Sequence, residues 1–210
     1  MNLWRRDAGP DALIFLPGFM TSVDAYADLF ESLVGAGVTV IVPQLYRRGV
    51  GALLGKVPVT DEAQAAANLV AQQPGRVVLG GHSRGGQAAW IAAGLVDVAG
   101  VCLVDPVDGE GRRPSGPVST TVPAGFTCPA LIVGAGVTGA CAPQQVNYEQ
   151  FARATPQAQV EVLADMGHAD ILTGRARSLG RRLCGGGTDP DHARGVCAAL
   201  ITAFVLASLG

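Results

Sequence analysis

The most constraining feature of this chain is the pentapeptide Gly81-His82-Ser83-Arg84-Gly85 together with its flanks. The apolar run Arg76-Val-Val-Leu79 ends just before it, and the Ala-rich helical stretch Gln87 to Leu95 begins just after it. A strand that turns this abruptly into a helix holds the central Ser in a strained conformation at the top of a sheet. Gly81 and Gly85 then remove side chains that would collide with the neighbouring strand and helix. The helix N-terminus beneath the Ser favours developing negative charge. A Gly-Ser-Gly run alone makes an ordinary turn; the strand before it and the helix after it mark Ser83 as a candidate nucleophile.

The rest of the chain repeats the same alternation of short apolar runs and longer helical patterns. Strands are expected at Ala12–Leu16, Val38–Val42, Arg76–Leu79, Gly100–Val104, Ala130–Val133 and Val160–Leu163. Helices are expected around Tyr26 to Leu33 (stopping at Gly35 or Gly37), from an N-cap at Thr60 through Ala71, at Gln87–Leu95, at Glu149–Ala154 and at Ala193–Leu209. Strands that are apolar on both faces and separated by helices predict a mostly parallel, doubly wound α/β sheet covered on both sides. The 210 residues, 49% hydrophobic and 15% charged, suffice for one domain spanning 1–210, with no linker or repeat to divide it. In such sheets the chemistry gathers at the carboxyl ends of the strands.

A nucleophilic Ser requires a base and a group that orients the base. Of the three histidines, His82 lies inside the turn and points away from Ser83, and His192 sits in the polar loop Asp189-Pro-Asp-His. His168 follows the last core strand in Ala164-Asp-Met-Gly-His168 and is the expected base. Asp105 stands directly at the end of Gly100–Val104 and is the expected acid, with Asp108 as the alternative. The next strand runs into Gly-Ala-Gly-Val-Thr-Gly and offers no carboxylate. Two backbone amides are needed for a tetrahedral oxyanion. That of Arg84 follows the nucleophile, and that of Phe19 lies in the Pro17-Gly18-Phe19-Met20 loop after the first strand. Met20, Tyr46, Val107, Ile171 and Leu172 are candidates for an apolar wall around a substrate chain.

Other classes of function find little support. The net charge is −2 and the arginines are scattered, so no basic face for nucleic acid is expected. Gly134-Ala-Gly136-Val-Thr-Gly139 matches a dinucleotide fingerprint in letters but is not followed by a helix and a strand-end acid. Gly185-Gly-Gly187 lacks the Lys-Ser/Thr of a phosphate loop and is expected to be a flexible segment. The five cysteines fit no zinc spacing; Cys102 reads as buried, and Cys184 and Cys197 are a possible pair. No metal or organic cofactor is expected. The N-terminus lacks a signal-peptide core, and the apolar stretch Val196–Leu209 falls short of the roughly 20 residues of a spanning helix. The expectation is a soluble, cytoplasmic protein without a transmembrane segment.

Five segments together carry a family resemblance: Gly81-His-Ser-Arg-Gly-Gly86, Val42-Pro-Gln-Leu-Tyr46, Val104-Asp-Pro-Val-Asp-Gly109, Cys141-Ala-Pro143 with Val146-Asn147, and Met166-Gly-His-Ala-Asp170. In this order they resemble the chlorophyllase family of the α/β-hydrolase fold, from about Ala12 to the C-terminus. The resemblance implies hydrolysis of the phytyl ester of chlorophyll by a Ser-Asp-His triad, which falls by motif on Ser83, Asp105 and His168. Plant members usually carry His-Gly-Phe where this chain has Pro17-Gly18-Phe19, a sequence similar to the oxyanion loop of bacterial polyester hydrolases. A general carboxylesterase or polyester hydrolase is therefore the alternative activity. A non-catalytic protein that binds apolar ligands on the same fold is the alternative from another class.

Overall fold

The computed structural model describes residues 3–45, 58–109 and 116–210. Among these residues seven strands form one sheet: β1 (Leu3–Arg6), β2 (Ala12–Leu16), β3 (Thr39–Pro43), β4 (Val77–His82), β5 (Gly100–Val104), β6 (Ala130–Val137) and β7 (Gln159–Gly167). Their order across the sheet is β1-β3-β2-β4-β5-β6-β7, with β1 antiparallel to β3 and every other pair parallel. Among the described residues the helices are a 3-10 segment Val23–Phe30 leading into α1 (Glu31–Gly35), then α2 (Val59–Ala71), α3 (Arg84–Ala93), α4 (Tyr148–Ala154), α5 (Gly174–Cys184) and α6 (Pro190–Leu209).

Side-chain alternation along the central strands divides the core in two. Leu13, Phe15, Val40, Val78, Cys102 and Leu131 pack on one face beneath the 3-10 segment and α6. Ala12, Ile14, Ile41, Leu79, Val101 and Ile132 pack on the other beneath α2, α3 and α4. Strands β2 to β5 are buried throughout, as strands covered on both faces must be. The edge strand β7 is not: Val160 and Val162 are exposed.

Several expectations need correction. The first helix opens as a 3-10 segment, and α2 is capped by Pro58 rather than Thr60, which lies in its first turn. β1 was not foreseen, because Leu3-Trp-Arg-Arg6 is mostly exposed and carries no apolar alternation. Nor was α5, whose Arg- and Gly-rich sequence has a narrow inward face of Ala176, Gly180 and Cys184. Cys184 is bonded to Cys141, 43 residues away, and not to Cys197; Cys197 and Cys102 are buried and free. Within the Gly185–Gly187 segment Gly187 is packed, since a Cβ on it would overlap the Asp165 carbonyl, whereas Gly185 is exposed. Gly134 and Gly136 lie within β6, where Tyr148 and the backbone of Ala164 approach too closely for a side chain. The final helix α6 has 20 residues and is long and apolar enough to cross a membrane by length and composition. In this fold its stripe of Ala193, Cys197, Ile201, Val205 and Leu209 is buried in the core.

Candidate active site

The turn between β4 and α3 shows why the pentapeptide has its glycines. A Cβ on Gly81 would lie 2.3 Å from the Gly85 carbonyl oxygen, and one on Gly85 would lie 2.1 Å from that of Leu16. With helix and strand this close, Ser83 is forced to φ 56°, ψ −125°, a conformation that L-residues rarely adopt. Its amide donates to the Val104 carbonyl at the end of β5 (3.1 Å), which ties the turn to the neighbouring strand. Two other non-glycine residues have positive φ among the described residues, Met20 and Asp105, and both stand in loops at this same end of the sheet.

His168 follows β7 directly. Its Nε2 lies 3.0 Å from Ser83 Oγ, and its Nδ1 lies 2.6 Å from Asp105 Oδ2. A carboxylate only accepts, so Nδ1 carries the proton and Nε2 is left to accept the hydroxyl proton of Ser83. Asp105 Oδ1 accepts the Ala135 amide (3.1 Å), and the Asp105 amide donates to the Val133 carbonyl, so the carboxylate is aimed by β6. All three side chains are buried.

Asp108, the alternative acid, is occupied elsewhere. Its carboxylate accepts Gln87 Nε2, the Ser119 amide, and both the amide and the hydroxyl of Thr120, at 2.6 to 2.9 Å. His82, as expected, points away from Ser83: its ring nitrogens meet the Tyr26 hydroxyl and the His168 carbonyl.

The loop after β2 lies against the turn. A Cβ on Gly18 would come within 3.2 Å of Ser83 Cβ. The Gly18 carbonyl accepts both the amide and the hydroxyl of Thr21 (3.2 and 2.7 Å), which sets the plane of the Gly18–Phe19 peptide. Arg84 begins α3, and its guanidinium donates from Nε and Nη2 to Glu62 Oε1 of α2 (2.8 and 2.6 Å). Burial raises the Glu62 carboxyl pKa, and the neighbouring Arg84 charge only partly offsets this.

Of the candidate wall residues, Met20 is exposed beside the loop, and Val107 packs with Ala142 and Val146. Ile171 and Leu172 are buried in the main core cluster, so their apolar surface faces the interior rather than a solvent-open wall. Tyr46 lies outside the described residues. Tyr26 and Glu62 escaped the sequence reading. Tyr26 sits at a core-facing helical spacing, and nothing local distinguishes Glu62 from a solvated helix carboxylate.

A buried Ser, His and Asp hydrogen-bonded in series at the carboxyl ends of a mostly parallel sheet can activate a hydroxyl for attack on an acyl carbon. The sheet order and the strained turn are those of the α/β-hydrolases. Solved structures of that fold agree along nearly the full chain. A metagenome-derived lipolytic enzyme superposes with a TM-score of 0.69 at 17% identity, covering 98% of this chain and 97% of its own. A thermophilic esterase from Thermogutta terrifontis gives 0.69 at 20% identity, covering 99% and 94%. The chain belongs to the chlorophyllase family, whose model matches residues 9–210, and is thus a carboxylic-ester hydrolase. It is 27% identical to the chloroplastic chlorophyllase-1 of Citrus sinensis, over 93% of this chain and 67% of that protein. It is 25% identical to chlorophyllase-2 of Arabidopsis thaliana, over 94% and 73%.

Proposed function

We propose that this protein hydrolyses the phytyl ester of chlorophyll through an acyl-enzyme on Ser83. The observation that carries the chemistry is the unbroken chain Ser83 Oγ–His168 Nε2, His168 Nδ1–Asp105 Oδ2. As Ser83 Oγ attacks the ester carbonyl carbon, His168 Nε2 takes its proton, and Asp105 steadies the resulting imidazolium. The amides of Phe19 and Arg84 are assigned to the oxyanion, one from each side of the carbonyl. His168 then returns the proton to the leaving alcohol oxygen. A water enters, loses its proton to His168, and attacks the acyl carbon; the carboxylic acid leaves and Ser83 Oγ is reprotonated. No step requires a metal or an organic cofactor.

The choice of phytyl ester rests on the family and on the relatives' names. Pro17-Gly18-Phe19 and the lipolytic and esterase fold neighbours favour a second reading, a carboxylesterase acting on smaller esters or polyesters. The test is hydrolysis of chlorophyll a and of p-nitrophenyl butyrate by the wild type and by Ser83→Ala. Loss of Ser83 is expected to lower kcat about 10⁶-fold on whichever ester is accepted. Chlorophyllide released by the wild type supports the phytyl ester; turnover of the small ester alone moves the substrate to the second reading. If Ser83→Ala retains turnover, the triad is wrong. Apolar ligand binding without turnover of either ester would mean a non-catalytic member of the fold.

A further inference from the structure

A second buried histidine stands beside the base, and the proton transfers above do not use it. His82 Nε2 lies 2.9 Å from the backbone carbonyl of His168, and His82 Nδ1 lies 2.8 Å from the Tyr26 hydroxyl. The Tyr26 hydroxyl in turn accepts the Gly18 amide at 3.0 Å. A carbonyl only accepts, so His82 carries a proton on Nε2; in the neutral ring Nδ1 then accepts, and Tyr26 donates to it. With His82 neutral the bonds run in one direction: Gly18 N–H to Tyr26 Oη, Tyr26 Oη–H to His82 Nδ1, His82 Nε2–H to the His168 carbonyl. The loops after β2 and β7 are joined by this one chain through the 3-10 segment and the last residue of β4.

We propose that His82 is a positioning residue, an imidazole that clamps the loop carrying the base to the loop carrying the Phe19 amide. The inference rests on the triad assigned above. Its two ends bear on the two halves of the chemistry. Holding the His168 carbonyl fixes the backbone from which the imidazole reaches Ser83. Holding the Gly18 amide, together with the Thr21 bonds to the Gly18 carbonyl, fixes the peptide that presents Phe19 N–H. A displacement of about 1 Å at such a site costs on the order of 10²-fold in rate.

Neutrality matters because the rings of His82 and His168 are only 4.7 Å apart. A charged His82 would repel the imidazolium that forms on His168 in each half-reaction. Among the described residues, the titratable side chains in contact with His82 are Tyr26 and His168. Burial, and then the His168 charge, hold the His82 pKa well below its ordinary value, while burial raises that of the Tyr26 phenol. A leucine at position 82 would satisfy packing but neither polar partner. A glutamine keeps one N–H for the His168 carbonyl and one oxygen for Tyr26.

The test measures kcat per serine titrated with a fluorophosphonate, on p-nitrophenyl butyrate or chlorophyll a, for the wild type, Tyr26→Phe, His82→Leu and His82→Gln. The expected result is a kcat about 10- to 100-fold lower in Tyr26→Phe and His82→Leu with KM within about threefold, and recovery of most of that loss in His82→Gln. Loss confined to melting temperature, with kcat per titrated site unchanged, overturns the clamp. A second measurement needs no variant: long-range ¹H–¹⁵N correlation on the wild-type protein should show His82 protonated at Nε2 alone, unchanged from pH 5 to 9. Protonation at Nδ1, or titration within that range, overturns it as well. If Ser83→Ala stays active, the triad beneath the proposal has failed; if Ser83→Ala is dead while Tyr26→Phe is normal, only the clamp has.

Discussion

Asp105 and Asp108 leave the same strand, are both buried, and stand in opposite relations to their surroundings. Asp105, held at φ 38°, has one oxygen on the Ala135 amide and commits the other to His168. Asp108 surrounds itself with four donors from Gln87, Ser119 and Thr120, and so fastens the segment that follows back onto α3. One carboxylate is left with a partner that must change charge during a reaction; the other has only partners that never do. A buried carboxylate whose bonds are all to permanent dipoles belongs to the scaffold. One bonded to a titratable ring belongs to the chemistry.

The comparison breaks most sharply in activity. Asp105→Asn is expected to lower kcat by about 10³- to 10⁴-fold, because an amide at this position no longer holds the Nδ1–H tautomer of His168. Urea unfolding should show the same variant within about 1 kcal/mol of the wild type. Asp108→Ala should invert the pattern. Stripping the acceptor from these four buried or half-buried donors is expected to cost about 2–4 kcal/mol in unfolding free energy, with a smaller change in kcat than Asp105→Asn. Equal losses of activity in the two variants would erase the distinction.

The smallest effect isolates burial itself. Asp165 repeats the bonding of Asp108, accepting the amide and hydroxyl of Thr188 and the Asp189 amide, but at the surface. The Thr188 bonds depress its carboxyl below the ordinary 3.8. A depressed acid stabilises the fold above its unfolded pKa and loses that stabilisation as pH falls through its folded value. The melting temperature of the wild type should therefore fall more steeply than that of Asp165→Asn as pH is lowered from 5 to 2.5. Parallel curves would show that solvent screens the cap entirely.

What could be read from sequence follows the same physical division. Strands β2 to β6 were legible because burial on both faces requires continuous apolar runs between turn residues. Ser83, Asp105 and His168 were legible as candidates because the fold forces them to the ends of particular strands. The edge strand β1 is mostly exposed and has no apolar alternation, while the helical spacing of Ala176, Leu179, Gly180, Leu183 and Cys184 in α5 is broken up by four arginines and two glycines, and its two leucines stay exposed. Long-range pairings were equally silent. Cys141–Cys184, Tyr26–His82 and Glu62–Arg84 join segments 22 to 56 residues apart. Partners that meet only after the sheet has assembled leave no local trace, so neither the disulfide pairing nor the buried Arg84 partner of Glu62 could be decided from sequence.

The dihedrals of Ser83 have a further consequence, for the ease with which this site can be lost. A side chain at φ 56°, ψ −125° costs on the order of 1–3 kcal/mol, and glycine escapes most of it. Ser83→Gly should therefore yield a dead enzyme that unfolds at a higher denaturant concentration than its parent. Selection for folding alone would drift toward that glycine, and only turnover of the ester holds the hydroxyl in place.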